Sequence, residues 1–287
     1  MPSRIWTLSK MFLSSPSRAA EASQNEENLA PCFWIYVAFT LGTMLFFTMK
    51  PFDFPDQNAA YPREAQNLLF WFKVMLWQPP LEAAWMAFLL GLVVWFGQGS
   101  LPLRLTSGVA WAAAPFILMA VYSAVGADAN QAIAELAKGA AGAARADAEA
   151  RVIAGARSVT IAKWALGLGA IAWIGLFVPL WRRLTRAEVL PVVIFMLGVN
   201  VVGVVMLAPM VLATLWRSSN LFMATQVVGG FWILGWGTLG LRKLTGLRLP
   251  RAFMAVLLSM FFQIAVAFTL HLLGLVPKDI LKALLYA

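Results

Sequence analysis

Apolar residues in this chain neither alternate with polar ones nor mark a single helical stripe. They form long unbroken runs separated by short polar stretches. The runs cover residues 31–49, 82–96, 107–126, 161–181, 189–216, 221–241 and 252–276. A helix crosses a hydrocarbon core of about 30 Å with about 20 apolar residues. The pattern therefore predicts an all-α polytopic transmembrane helical bundle of about seven spans, with six as the lower count. The run 82–96 is short and extends towards residues 81 and 101. Strands of a membrane barrel would alternate polar and apolar positions, and these runs do not.

The polar stretches set the expected topology. Arg182, Arg183 and Arg186 fall in one short loop, and Arg242, Lys243, Arg248 and Arg251 in another. Basic residues this close to span ends stay on the cytoplasmic side. Two spans must separate two such loops, so 189–216 and 221–241 form a hairpin turning at Arg217-Ser218-Ser219-Asn220. The N-terminus is then inside and the C-terminus outside. Three parts result. Residues 1–30 are a cytoplasmic amphipathic segment, with Ile5, Trp6, Leu8, Met11 and Phe12 beside Arg4 and Lys10, lying on the membrane face. Residues 31–216 are the transmembrane core, with outer loops at 50–80 and 127–160. Residues 217–287 add a two-span C-terminal hairpin.

Both outer loops have character. The first opens with the turn-rich Lys50-Pro51-Phe52-Asp53-Phe54-Pro55-Asp56 and continues with an aromatic stretch, 68–77, too short to span and expected in the interface. The second is rich in Ala, with scattered Glu135, Lys138, Arg145, Asp147, Glu149 and Arg151. It reads as a spacer or a solvated helix with breaks at Gly139, Gly142 and Gly155.

Composition agrees with lipid as the solvent: 61% of residues are hydrophobic and 12% charged, with 13 Trp and 20 Phe. Soluble domains carry about 25% charged residues. One His and one Cys leave no material for a His-rich metal site, a disulfide framework or a redox pair, so no cofactor is expected. The net charge of +9 is spread over short loops and makes no continuous patch, which argues against nucleic acid.

Ionisable groups inside a span are costly and therefore informative. Glu82 follows Pro79-Pro80 and reads as a cap at the start of a span, facing the positive helix end. His271 reads as an interfacial side chain near the outer end of the last run. Asn200, Gln226 and Gln263 fall near mid-span, where an amide finds a helix–helix partner or lines a small cavity. Cys32 sits at the cytoplasmic edge. No catalytic constellation, phosphate-binding loop or paired carboxylates on one helix face is present.

The opening Ile5-Trp6-Thr7-Leu8-Ser9-Lys10-Met11-Phe12-Leu13-Ser14-Ser15-Pro16-Ser17-Arg18 resembles the start of bacterial members of the Yip family, the Ypt/Rab-interacting membrane proteins. Those begin with a short amphipathic segment ending in proline, then a polar stretch, then the first span. The stretch Leu103-Arg104-Leu105-Thr106-Ser107-Gly108-Val109-Ala110-Trp111-Ala112-Ala113-Ala114-Pro115 is similar to that family's third span. Residues 164–181, followed by Arg182-Arg183-Leu184-Thr185-Arg186-Ala187, resemble its next span and loop. The resemblance covers residues 1–210 and implies a core of about five spans with a cytoplasmic N-terminus. Eukaryotic members bind prenylated small GTPases through a long N-terminal region. Only about 30 residues precede the first run here, so that activity is not carried over, and no functional residue transfers.

The expected function is that of a non-enzymatic integral membrane protein with a Yip-like core, acting as a scaffold or partner-binding subunit. The alternative is a transporter or channel component whose cavity gathers Asn200, Gln226 and Gln263. A lipid-acting enzyme comes third and requires Glu82, Arg104 or His271 to converge at one water-accessible pocket. The expected partners are the lipid bilayer and other membrane proteins or a second copy, in a multi-pass arrangement in a bacterial cytoplasmic membrane.

Overall fold

A computed structural model describes residues 2–51, 54 and 67–286. Among the described residues every regular element is a helix. Six segments are long and apolar enough to cross a membrane: Glu26–Met49, Leu68–Gly97, Leu101–Ala137, Ala143–Trp181, Arg186–Leu215 and Leu249–Leu272. The all-α polytopic bundle expected from the runs is the fold.

In chain order, α1 (Pro2–Ser14) and α2 (Pro16–Ser23) precede a 3-10 turn at Glu26–Asn28. Then come α3 (Leu29–Met49), α4 (Leu68–Gly97), α5 (Leu101–Ala137) and α6 (Ala143–Trp181). The run 189–216 becomes α7 (Arg186–Val199) and α8 (Val201–Leu215), broken at Asn200. Next is α9 (Ser219–Thr245), whose 27 residues reach about 40 Å. It is long enough for a seventh crossing, but its glycines and Gln226 leave it less apolar than the other six. The chain ends with α10 (Leu249–Leu272) and α11 (Lys278–Tyr286).

Local chemistry explains the helix ends. Thr185 and Glu188 form a capping box that opens α7. Ser218 Oγ accepts from the Leu221 N–H at 3.3 Å to open α9. Gly246, at φ +69°, closes α9 behind Arg242 and Lys243.

The loops 182–185 and 246–248 share one face, and the turn 216–218 lies at the other. Ion pairs join that first face: Arg186 to Glu26 at 2.9 Å, Lys243 to Glu21 at 3.3 Å and Arg4 to Glu27 at 2.9 Å. Arg251 donates to the carbonyls of Phe96, at 2.6 Å, and Gly99, at 3.1 Å. Below this face lies an aromatic centre. Phe88 is 4.8 Å from Phe262 and 5.0 Å from Phe177, ring centre to ring centre, with Trp173 alongside.

The structure departs from the sequence expectations in five places. First, the stretch 68–77 is no separate interfacial segment; it opens α4, which continues through Pro79 and Pro80. Both prolines sit at the exposed surface of the helix. Ending the helix there would leave more backbone groups unpaired in lipid than two missing N–H groups do. Phe70, Trp71 and Val74 are buried, and Trp71 stacks on Phe47 at 5.1 Å. Of the turn at 50–56, most lies outside the described residues. Within it, the Lys50 ammonium donates to the Phe54 carbonyl, and Phe54 packs 5.5 Å from Phe222.

Second, the Ala-rich stretch after residue 126 is not a spacer. It is helical with a break at Gly139 and Gly142, as the helix alternative has it, but it continues the two spans instead of forming a separate outer loop. Helices α5 and α6 run on through it as an antiparallel pair, about 55 Å and 58 Å long. A hydrocarbon core of about 30 Å leaves some 25 Å of this pair beyond it. The turn between them uses Gly139 and Gly142, at φ +85° and +59°. Gly155 makes no break: a Cβ there would lie 2.5 Å from Ala129 Cβ, so its role is close packing. Arg151 of α6 ties the pair together through Asp128 and Glu135 of α5, and it also pairs with Asp147 one turn earlier on its own helix.

Third, the N-terminal segment does not lie flat with its apolar side in lipid. Its two helices form a hairpin packed into the bundle. Leu8 and Phe12 are 4% and 0% exposed, while Trp6 remains 64% exposed. Phe12 is 5.6 Å from Phe195 and covers Gly198, and its carbonyl accepts from Trp236 Nε1 at 2.8 Å. Gly198 and Trp236 lie about 18 Å and about 14 Å along their helices from the ends at the basic face. Ser15 and Pro16 then turn the chain, and α2 climbs back to the Glu21–Lys243 pair.

Fourth, the last run stops at Leu272 rather than 276, and a short amphipathic helix follows it. Ile280, Leu281 and Ala283 of α11 are buried against the far ends of α10 and α4. Fifth, Glu82 is not a cap. It is the fifteenth residue of the continuous α4.

With the basic face in the cytoplasm, reporter fusions at Ala140, Ser219 and Leu247 are expected to read out, out and in. A cytoplasmic signal at Ser219 would remove α8–α9 as a hairpin of two crossings.

Candidate functional sites

Polar residues inside the bundle are where function in a membrane is expected. The Asn200 amide donates to the carbonyls of Met196 at 3.0 Å and Leu197 at 3.2 Å, within its own helix. It occupies the break between α7 and α8, where its own backbone N–H turns to Gly198 instead of Met196. The side chain thus replaces the donor that the break removes. Gln226 is exposed on the outer side of α9 beside Val227 and Val228 and has no hydrogen-bond partner among the described residues. Gln263 is half-buried on α10, likewise without one. His271 is at the far end of α10, where Nδ1–H donates to the Val276 carbonyl at 2.8 Å and closes the turn.

Glu82 has the most polar surroundings of the five. Gln78, one turn earlier on α4, hydrogen-bonds to it, and Tyr36 on α3 lies within its electrostatic reach. Tyr36, Thr40 and Thr43 follow one another at helical spacing and face this part of α4. A void of about 20 Å³ separates the two helices, lined by Phe39, Thr40, Thr43, Trp71, Val74 and Gln78 among others. That is room for about one water molecule. The Thr43 hydroxyl is buried at this void with no hydrogen-bond partner. The stripe on α3 was legible as Tyr-x3-Thr-x2-Thr, and Gln78-x3-Glu82 as a matching pair, once α4 is read as one helix.

Arg104 lies at the basic face, its guanidinium 4.3 Å from the Trp95 ring centre. Glu82, Arg104 and His271 therefore occupy the middle and the two opposite ends of the bundle. Asn200, Gln226 and Gln263 also stay apart, and none of them lines the voids or the cleft described here. Cys32 is buried and unpaired. Among the described residues no three His, Cys, Asp or Glu side chains are grouped to hold a metal ion.

Sequence reasoning missed a cleft of about 600 Å³ opening at the basic face. It lies between the end of α4, the start of α7 and the end of α9, with Gln24 from the end of α2 at its edge. Leu90, Val93, Val94, Val192, Leu244 and Leu247 give it apolar walls, and Gln98, Glu188 and Thr245 a polar rim. No run or motif marks it, because it arises where helices distant in sequence fail to close.

The fold and these sites define a multi-pass integral membrane protein. No protein-family model matches the chain, and no curated protein or solved structure does either.

Removing the Asn200 amide leaves two carbonyls without their donor at a break in a span. Asn200→Leu is expected to cost about 1 kcal/mol, read as a lower unfolding midpoint in detergent. Gln226→Leu breaks no hydrogen bond within the chain and is expected to leave the midpoint unchanged. Equal shifts for the two would contradict these assignments.

Proposed function

We propose that the chain is a non-enzymatic scaffold or partner-binding subunit of a bacterial cytoplasmic membrane. One observation carries this reading: the polar groups that would build a reactive or conducting site end in separate environments. Asn200 is used up by its own helix, Gln226 faces outward, and Glu82, Arg104 and His271 lie at three different levels. Two features suit a binding role. The α5–α6 pair extends some 25 Å past the hydrocarbon, fastened by Arg151 and exposing Ile133 and Ile153. Gln226 offers an amide on the bilayer side of α9, where an unpaired amide favours a second helix. A Yip-like core over residues 1–210 belongs to the same proposal, supported by the order of amphipathic helix, proline, polar turn and first crossing.

A second reading, a transporter component, rests on the Glu82–Gln78 pair with Tyr36 and the small void beside it. The void has room for one water and is no continuous path, which favours the scaffold.

The test is site-specific photo-crosslinking in native membranes, with the reactive group at Ile133, at Gln226 and, as a lipid-facing control, at Ile171. A discrete adduct at Ile133 or Gln226 and none at Ile171 is the expected result. Control-level labelling at both positions, with solute flux or turnover by the protein in liposomes, would overturn the proposal.

A further inference from the structure

The cleft at the basic face combines two chemistries at one depth. Its apolar walls reach Leu90 and Val192, which lie about 10 Å inward from Gly97 and Arg186. Its mouth is bordered by cations that adjoin the lining residues in sequence. Arg183 precedes Leu184, Lys243 precedes Leu244, and Arg248 follows Leu247.

The charges at this mouth do not cancel. Lys243 pairs with Glu21 and Arg186 with Glu26. Glu188, the acid in the lining, is engaged by the N–H and hydroxyl of Thr185, at 2.8 and 2.9 Å. Arg182, Arg242 and Arg248 are exposed and have no carboxylate partner among the described residues. Arg183 donates one N–H to Gln98 Oε1 at 3.0 Å. That bond fixes its guanidinium beside the rim and leaves other donors of the fork unused.

We propose that this cleft binds an anionic phospholipid, with an acyl chain along Leu90, Val94 and Val192 and the headgroup phosphate at Arg183 and Arg248. An apolar slot that opens at the basic face and is rimmed by cations suits a ligand with a negative head and a hydrocarbon tail. A soluble anion uses only the rim. A zwitterionic lipid uses the slot but gains less from the charge. The inference is independent of the scaffold reading, since a lipid seated here serves a scaffold or a transporter alike.

The full-length protein, delipidated in detergent, is titrated with phosphatidylglycerol and with phosphatidylcholine and followed by native mass spectrometry. Phosphatidylglycerol is expected to be retained about tenfold more tightly, a difference of about 1.4 kcal/mol. Filling the slot with Val94→Trp or Leu247→Trp is expected to abolish retention of both lipids. The surface change Arg183→Gln with Arg248→Gln, which leaves the core untouched, is expected to erase the preference and keep phosphatidylcholine binding. Inorganic phosphate at millimolar concentration is expected not to displace the lipid. Equal retention of the two lipids overturns the proposal. So does a preference that survives both slot-filling variants in folded protein, or displacement by phosphate alone.

Discussion

Rings seated on glycines hold this bundle together. Between helices in lipid there is no hydrophobic gain from meeting, because the tails are as apolar as the side chains. Association depends on close, well-shaped contact. The Phe195 ring occupies the space a Cβ at Gly240 would need, within 1.9 Å. On its other side it meets Phe12, which itself fills the gap over Gly198. This file of contacts joins α9, α7 and α1. Phe177 does the same at Gly91, binding α6 to α4 within the aromatic centre. The arrangement explains why α9 belongs in the bundle despite its modest apolarity. Its glycines weaken its claim to be a span and supply its packing surface.

Tryptophan adds a directional layer. Trp236 Nε1 donates to the Phe12 carbonyl, Trp181 Nε1 to the Ala87 carbonyl and Trp85 Nε1 to Ser259 Oγ, at 2.8, 2.8 and 2.9 Å. Each indole joins helices far apart in sequence and satisfies its one donor in a place where water is absent. With the ion pairs of Glu21 and Glu26, the Trp236 bond places the N-terminal hairpin at the basic face. The hairpin in turn brings Gln24 to the edge of the cleft. The functional candidate thus depends on the same contacts that pin residues 2–28.

The crossings were largely legible because continuous apolarity is a strong signal, and the paired basic loops gave the α8–α9 hairpin. What escaped depends on contacts between distant residues. Pro79-Pro80 looked like an end because the rule for water counts a lost N–H as a break. In lipid the helix persists, and Glu82 moves from a cap to mid-helix. The Ala-rich stretch read as a spacer or a solvated helix, apart from the spans, because nothing local shows that Gly155 meets Ala129 or that Arg151 finds three carboxylates. The N-terminal helix was seen as amphipathic, but its pattern cannot say whether the apolar side meets lipid or Phe195. Of the candidate residues, His271 could be placed near a span end. The cleft could not, since it is a gap between three helices.

The seating of rings on glycines is tested most directly by a double-mutant cycle on Phe195 and Gly240, read as unfolding free energy in detergent. Gly240→Ala in the otherwise unchanged protein forces a Cβ into the Phe195 ring and is predicted to cost about 1–3 kcal/mol. In the Phe195→Ala background the same change is predicted to cost little, giving a coupling well above the roughly 0.5 kcal/mol expected of independent sites. An equal cost in both backgrounds would contradict the account, because the glycine would then matter for some reason other than the ring it receives.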